Sequence, residues 1–175
     1  MDSAKEANKQ EKILLLPHNK VEFALKRMAH QIIERHIKDS VLTLIGIEPR
    51  GVLVARRLSQ LITAFSDLSV EVLKINVDKQ TGQVISTLPE EKVKGKTPIV
   101  VDDVLFTGKT LFSATCFVNT LSPEGIETAV LISRNMHKFP ISGDYVGFDL
   151  STTFHDYVEV VPEAGGFQVY ILKAG

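Results

Sequence analysis

A single cysteine, Cys116, stands in the 175-residue chain. One thiol can form neither an internal disulfide nor a cysteine-based zinc site, so a reducing compartment is the simpler expectation. The five histidines show no paired zinc-ligand spacing. Long apolar runs are missing too, since none approaches the ~18 residues that a membrane span requires. Residues 1–12 are rich in Lys, Glu, Gln and Asn and lack the apolar core of a signal peptide. A flexible tail and a cytoplasmic location are expected. Charge of one sign is also absent: 20 Lys plus Arg face 21 Asp plus Glu, for a formal net charge of -1. That balance excludes a generically basic nucleic-acid binder but leaves room for a local basic patch. What is present, 44% apolar and 23% charged residues, suits a globular chain with a real core. One domain over residues 13–175 is expected, without repeats or an internal boundary.

Hydrophobic periodicity orders this domain. Val21, Ala24, Leu25, Met28, Ala29, Ile32 and Ile33 recur at helical spacing, with Asn19 as the expected N-cap. Val41 to Ile47 is a near-continuous apolar, β-branched run, the pattern of a strand buried on both faces of a parallel sheet. Helical spacing returns at Val52, Ala55, Leu58, Ile62 and Phe65, and Val70 to Ile75 reads as a second strand. Residues 77–96 are polar and turn-rich, with a short β-like piece at Gln83 to Thr87, and read as a long mobile excursion. A third strand, Thr97 to Val101, ends in Asp102-Asp103. Leu111, Ala114, Val118 and Leu121 then share one helix face, and Cys116 in that helix is expected as a small core residue. Thr128 to Ile132 is a fourth strand, followed by β-like pieces near Tyr145, Tyr157 to Val161 and Phe167 to Leu172. Alternation of strands and helices implies an α/β fold: a doubly wound, mainly parallel sheet flanked by helices, with a small β-rich C-terminal hood.

The informative string is Val100-Val101-Asp102-Asp103-Val104-Leu105-Phe106-Thr107-Gly108-Lys109-Thr110. An apolar strand here delivers two adjacent carboxylates to the carboxyl edge of the sheet, where open α/β sheets bind ligands. Neighbouring carboxylates repel unless hydroxyls or a cation compensate them, so a diol or Mg²⁺ is expected nearby. Thr107 to Thr110 sit at a helix start, where free N–H groups and the helix dipole favour a phosphate. Gly108 permits close backbone approach, and the Thr hydroxyls add donors. Phosphate on one side and a metal-bound diol on the other is the arrangement of a sugar phosphate. A Walker A loop needs Gly five residues before Gly108, and position 103 is Asp. A dinucleotide fingerprint fails as well, because Gly46 and Gly51 have no third glycine in register.

Residues 99–110 resemble the signature with which type I phosphoribosyltransferases bind 5-phosphoribosyl 1-diphosphate (PRPP). Residues 24–35, Gly46-Ile47-Glu48-Pro49-Arg50-Gly51-Val52, Ala55-Arg56-Arg57-Leu58, Arg134, Pro140 and Asp144-Tyr145-Val146-Gly147 are similar to the pyrimidine-operon attenuator/uracil phosphoribosyltransferase subfamily. The resemblance implies the type I phosphoribosyltransferase fold and a pentosyltransferase of pyrimidine salvage. Its substrates would be PRPP and a nucleobase, its metal magnesium (Mg²⁺), and its assembly a homodimer or a higher homo-oligomer. Asp102 and Asp103 would hold the ribose hydroxyls and help organise the metal. Val104 and Thr107 to Thr110 would bind PRPP, Thr107 to Thr110 through its 5-phosphate. Pro49-Arg50-Gly51, with Arg134, would bind pyrophosphate, and a cis bond carried over would be Pro49–Arg50. Arg50, Asp102 and Asp103 would be the catalytic residues, and residues 77–96 a flexible hood that excludes water. A second function of the subfamily, binding of an mRNA leader, would fall on Arg27 and His30. An RNA-binding regulator, or a PRPP-binding relative with altered base specificity, thus stands beside the enzyme.

The chain departs from the resembled pattern at several positions. Phe106 stands where purine-salvage relatives carry Asp, which argues against a purine base. The hood segment Asn76-Val77-Asp78-Lys79-Gln80 has no Arg, and Lys79 can supply a cation but not a bidentate fork. Ser133-Arg134-Asn135-Met136-His137 keeps the Arg of an Asp-Arg-Gly-His-Arg stretch but not its carboxylate. Phe139, Tyr145, Phe148 and Phe154 are candidate base-pocket walls with core packing as the safer reading, and His155-Asp156 is read as a loop pair.

Overall fold

Apolar runs become strands and 3.6-residue stripes become helices in the computed structural model, which describes residues 11–151 and 156–173. Strand β1 (Glu11–Leu16) leads into helix α1 (His18–Arg35). Next come β2 (Val41–Ile47), α2 (Arg50–Phe65) and β3 (Ser69–Ile75). After a loop, β4 (Ile99–Leu105), α3 (Lys109–Asn119), β5 (Glu127–Ser133) and β6 (Tyr145–Asp149) follow, and β7 (Tyr157–Glu163) and β8 (Gly166–Lys173) form a final hairpin. Five parallel strands pair in the order β3-β2-β4-β5-β6. A separate antiparallel sheet has the order β1-β8-β7.

Alternation along the buried strands splits the core in two. Leu42, Leu44, Ile99, Val101, Ala129 and Leu131 face the core shared with α1 and α2, while Ile45, Ile47, Val100 and Val130 face the core shared with α3. The small sheet joins the first core through Leu16, Val158, Val160, Phe167 and Val169. The expected α/β architecture with a small β-rich C-terminal part is therefore present. The chain's first strand completes that part, and β1 already includes Glu11 and Lys12 from the stretch expected as a tail. The rest of that tail, with Phe154 and His155, lies outside the described residues.

Local expectations needed three corrections. Pro17, not Asn19, occupies the N-cap of α1, and its carbonyl accepts from the N–H groups of Lys20 and Val21 at 3.0 and 3.2 Å. Asn19 lies inside the first turn, because proline's fixed φ and missing N–H suit the helix entrance better. Cys116 is exposed: Leu111, Ala114 and Val118 turn inward, and Cys116 sits two residues from both Ala114 and Val118, on the opposite side of α3. The excursion over residues 77–96 holds only one bridge, Val77 with Val84, and a 3-10 turn, Glu90–Lys92. Val77 and Val93 are buried and pin it to the α3-side core.

A polar cluster ties α1 to the amino ends of β5 and β6, away from the carboxyl ends. Glu127 is buried; Tyr145 Oη donates to its Oε2 at 2.6 Å, His36 Nε2 lies 3.0 Å from the same oxygen, and Arg35 Nε is 2.6 Å from Oε1. His36 Nδ1 meets Asp39 Oδ2 at 2.6 Å. Glu127→Ala removes the acceptor that three side chains share, at an expected cost of about 3 kcal/mol. Tyr145→Phe removes one hydrogen bond and costs about 1 kcal/mol. Urea unfolding of both variants against the parent chain checks the ranking.

Candidate active site

The carboxyl ends of the parallel strands and the starts of α2 and α3 enclose a cleft of about 470 Å³. Pro49, Arg50, Asp102, Asp103, Val104, Thr107, Gly108, Lys109, Thr110 and Arg134 all line it, as do Lys79 and Phe106. Residues 58 or more positions apart in sequence (Thr107 and Pro49) thus converge because parallel strands send their connections to one edge.

Strand β4 runs through the carboxylate pair instead of stopping at Val101. Asp102 is in register with Val130, Val104 with Ile132 and Leu105 with Ser133, so the β5 ladder carries the strand to Leu105. Asp102 is 8% exposed. The Asp103 N–H donates to Asp102 Oδ1 at 2.9 Å. Burial, and then the neighbouring Asp103 charge, hold the Asp102 carboxyl well above the ordinary carboxylate range, against the pull of that N–H and of Lys79.

Beyond the pair, the chain turns at Gly108, which caps α3 at φ +86° in the left-handed region. A Cβ there would also meet Ile141 Cγ2 at 2.8 Å. The Thr107 carbonyl accepts from the N–H groups of Lys138 and Phe139 at 2.8 and 3.1 Å, which fixes the loop. Lys109, Thr110 and Leu111 then open α3 against the cleft, with first-turn N–H groups that the helix itself cannot pair. Lys109 Nζ donates to the Gln80 carbonyl and so links this loop to the 77–96 segment.

The loop before α2 carries a cis bond, but at Glu48–Pro49, not Pro49–Arg50. The tertiary amide ahead of proline makes the cis form far less costly there than ahead of Arg. Gly51 backs the cleft without lining it: a Cβ would sit 2.5 Å from the Val101 carbonyl oxygen and 3.1 Å from Asp102 Cα. The loop backbone therefore rests directly on the carboxylate strand. Arg50 Nη2 donates to Glu159 Oε1 at 2.7 Å. Partial burial works against the Arg50 charge, but the Glu159 hydrogen bond and the Asp103 and Glu159 fields outweigh it and hold its pKa above the ordinary guanidinium value.

Arg134 follows β5 and is 3% exposed. Its N–H donates to the Leu105 carbonyl at 2.9 Å, and its guanidinium carbon lies 4.0 Å from the Phe106 ring centroid. Burial lowers its pKa, partly opposed by Asp156. Two further contributions escape a reading by periodicity. Tyr157 and Val158 line the cleft from β7, and Glu159 stands behind Arg50. An acidic residue between two valines was the available signal, and it does not say which loop the strand will meet. Arg27 and His30 are not among the lining residues. Arg27 Nη2 donates to the carbonyls of Val146 and Gly147 at 3.1 and 2.6 Å, and the His30 ring stacks on Phe65 with centroids 4.7 Å apart.

A family model described as phosphoribosyl transferase domain matches residues 14–163. "Bifunctional protein PyrR" of Clostridium novyi (strain NT) is 38% identical over 160 residues, covering 86% of this chain and 90% of its own length. The protein of the same name from Deinococcus radiodurans is 36% identical over 165 residues, covering 85% and 87%. Among solved structures, the hypoxanthine phosphoribosyltransferase of Trypanosoma cruzi superposes with a TM-score of 0.77 at 18% identity, covering 93% of this chain and 97% of that one. At that identity the likeness is one of fold.

Because the Asp102 pKa is raised in the fold, its contribution to stability is intact below the unfolded value of about 3.9 and is lost as pH rises through the folded value. Asp102→Asn therefore raises the melting temperature at neutral pH, by about 2–4 °C for each kcal/mol relieved. The gap to the parent chain closes as pH falls toward about 4. Scanning calorimetry across that range checks both sign and slope.

Proposed function

The chain belongs to the phosphoribosyl transferase domain family, and from that premise we propose that it moves the ribose 5-phosphate of PRPP onto a pyrimidine-type base, uracil first among them, with release of pyrophosphate. The observation that carries this reading is one cleft holding a carboxylate pair, a phosphate-ready helix start and two guanidinium groups. A sugar with a phosphate at one end and a diphosphate at the other presents the complementary chemistry.

In this reading the N–H groups of the α3 first turn and the hydroxyls of Thr107 and Thr110 hold the 5-phosphate. Asp102 and Asp103 accept hydrogen bonds from the two ribose hydroxyls. Arg50 and Arg134 bind the diphosphate. Reaction forms a bond from a base nitrogen to the anomeric carbon and breaks the bond from that carbon to the diphosphate oxygen. The electron pair of the broken bond leaves with pyrophosphate, which also takes up the proton that the base nitrogen gives up. Arg50 stabilises that departing charge where it accumulates. Lys79, on the hood beside Asp102, adds a second cation at the rim.

Magnesium fits this site as a metal shared with the ligand. Among the described residues no group of three or more His, Cys, Asp or Glu could hold a metal alone. Two adjacent hard carboxylates suit Mg²⁺, which takes one or two protein carboxylates and completes its shell with phosphate oxygens and water. Asp102 and Asp103 would hold it, and when bound it neutralises charge on the leaving diphosphate. At the base end, Phe106 presents a ring over Arg134 rather than a carboxylate, which supports a pyrimidine over a purine. The relatives' name includes a second function, but Arg27 and His30 already hold intramolecular partners, so transfer to a base is the reading the geometry supports best.

Replacing Asp102 and Asp103 together by Asn is expected to weaken PRPP binding at least about 100-fold in calorimetry with Mg²⁺, with the fold retained. An unchanged affinity would reject the site. In a pyrophosphate-release screen over free bases, uracil is expected to turn over faster than hypoxanthine or guanine. The reverse order would reject the pyrimidine reading and leave the transferase reading standing.

A further inference from the structure

We infer that Glu159 is a positioning residue that aims Arg50 at the diphosphate, an inference that rests on the reading of the cleft given above. Glu159 lies on β7, in the small antiparallel sheet, and Arg50 opens α2 at the edge of the parallel one. The carboxylate bridges two cations: Oε1 accepts from Arg50 Nη2 at 2.7 Å and Oε2 from Lys12 Nζ at 3.2 Å. Lys12 belongs to β1, and its ammonium sits 4.4 Å from the centroid of the Tyr170 ring on β8. Residues from all three strands of the small sheet thus form a chain of contacts that ends on one guanidinium.

Three features mark this contact as serving the cleft. Arg50 lines the cleft and Glu159 does not, so the carboxylate leaves the lining surface to the cation. The side chains are 31% and 22% exposed, so water screens part of the attraction and the pair's contribution to stability is modest. Lys12 balances the carboxylate, so the group of three keeps a net charge of about +1 and an arriving anion meets a cation rather than a neutralised pair. Arg carries five donors in a rigid fork, and one given to Glu159 leaves the others for phosphate oxygens. A long side chain held in advance loses less freedom on binding.

The test is calorimetric titration of the full chain with inorganic pyrophosphate and Mg²⁺. Glu159→Ala releases Arg50 and is expected to weaken binding about five-fold. Glu159→Gln keeps an acceptor for Nη2 and is expected to recover most of that loss. Melting temperatures of both are expected to match the parent chain, which separates aiming from folding. Equal or tighter binding by Glu159→Ala would overturn the inference, because removal of a negative charge that merely opposed the anion strengthens binding. Equal weakening in both variants would overturn it too. Absence of pyrophosphate binding by the parent chain would overturn the site reading itself.

Discussion

Two carboxylates held side by side at the end of a buried strand are the constraint around which this site is organised. Asp102 has lost most of its water, and Asp103 adds a like charge beside it. Such a pair is stable only with compensation from donors and cations. Strand β4 alone offers one internal donor, the Asp103 N–H. Everything else must come from other connections: Lys79 from the segment after β3, Arg50 from the start of α2, Lys109 from the start of α3 and Arg134 from the end of β5.

That dispersal explains why the architecture matters more than any single loop. In a parallel sheet every strand ends at the same edge, so each crossover delivers one group to the same place. Gly51 and Gly108 let this happen at close range. The first allows α2 to begin against the β4 backbone, and the second turns the chain into α3 through a left-handed residue. The small sheet adds a support from outside the crossover scheme. It shares the core of α1 and α2, carries Tyr157 and Val158 to the cleft and places Glu159 behind Arg50. The last third of the chain is therefore part of the site's wall and not an appendage to it.

The parallel sheet was legible because its strands are buried on both faces and so appear as apolar runs. Val41 to Ile47 coincides with β2 residue for residue. The phosphate loop was legible because its chemistry is local: carboxylates, turn glycine and helix start all fall within nine residues, 102 to 110. What was not legible is long-range. Strand β1 is a short apolar run beside a charged stretch, and it exists because β8, more than 150 residues away, pairs with it. Glu159 meets Arg50 across 109 positions, and no pattern in either segment names the other. Local propensity disfavours acidic residues in strands and would end β4 before the Asp pair, but ladder pairing with β5 overrides that preference.

Choice of base is a property that a shared architecture leaves open. A hypoxanthine phosphoribosyltransferase superposes over 93% of this chain with 18% sequence identity, so the same backbone serves a purine enzyme. Selectivity then resides in side chains at the base end of the cleft, not in the fold. In the cleft of this chain Phe106 packs on the buried guanidinium of Arg134. Burial weakens the hold of Arg134 on its proton, and the ring face supplies favourable negative potential that offsets the lost water. Phe106 therefore does two things at once. It lines the cleft with a ring face instead of a carboxylate acceptor, and it keeps a cation in place where solvent is scarce. A carboxylate at position 106 would bring an acceptor to the same guanidinium, so under the proposed reading base preference and leaving-group binding are linked through this one aromatic residue.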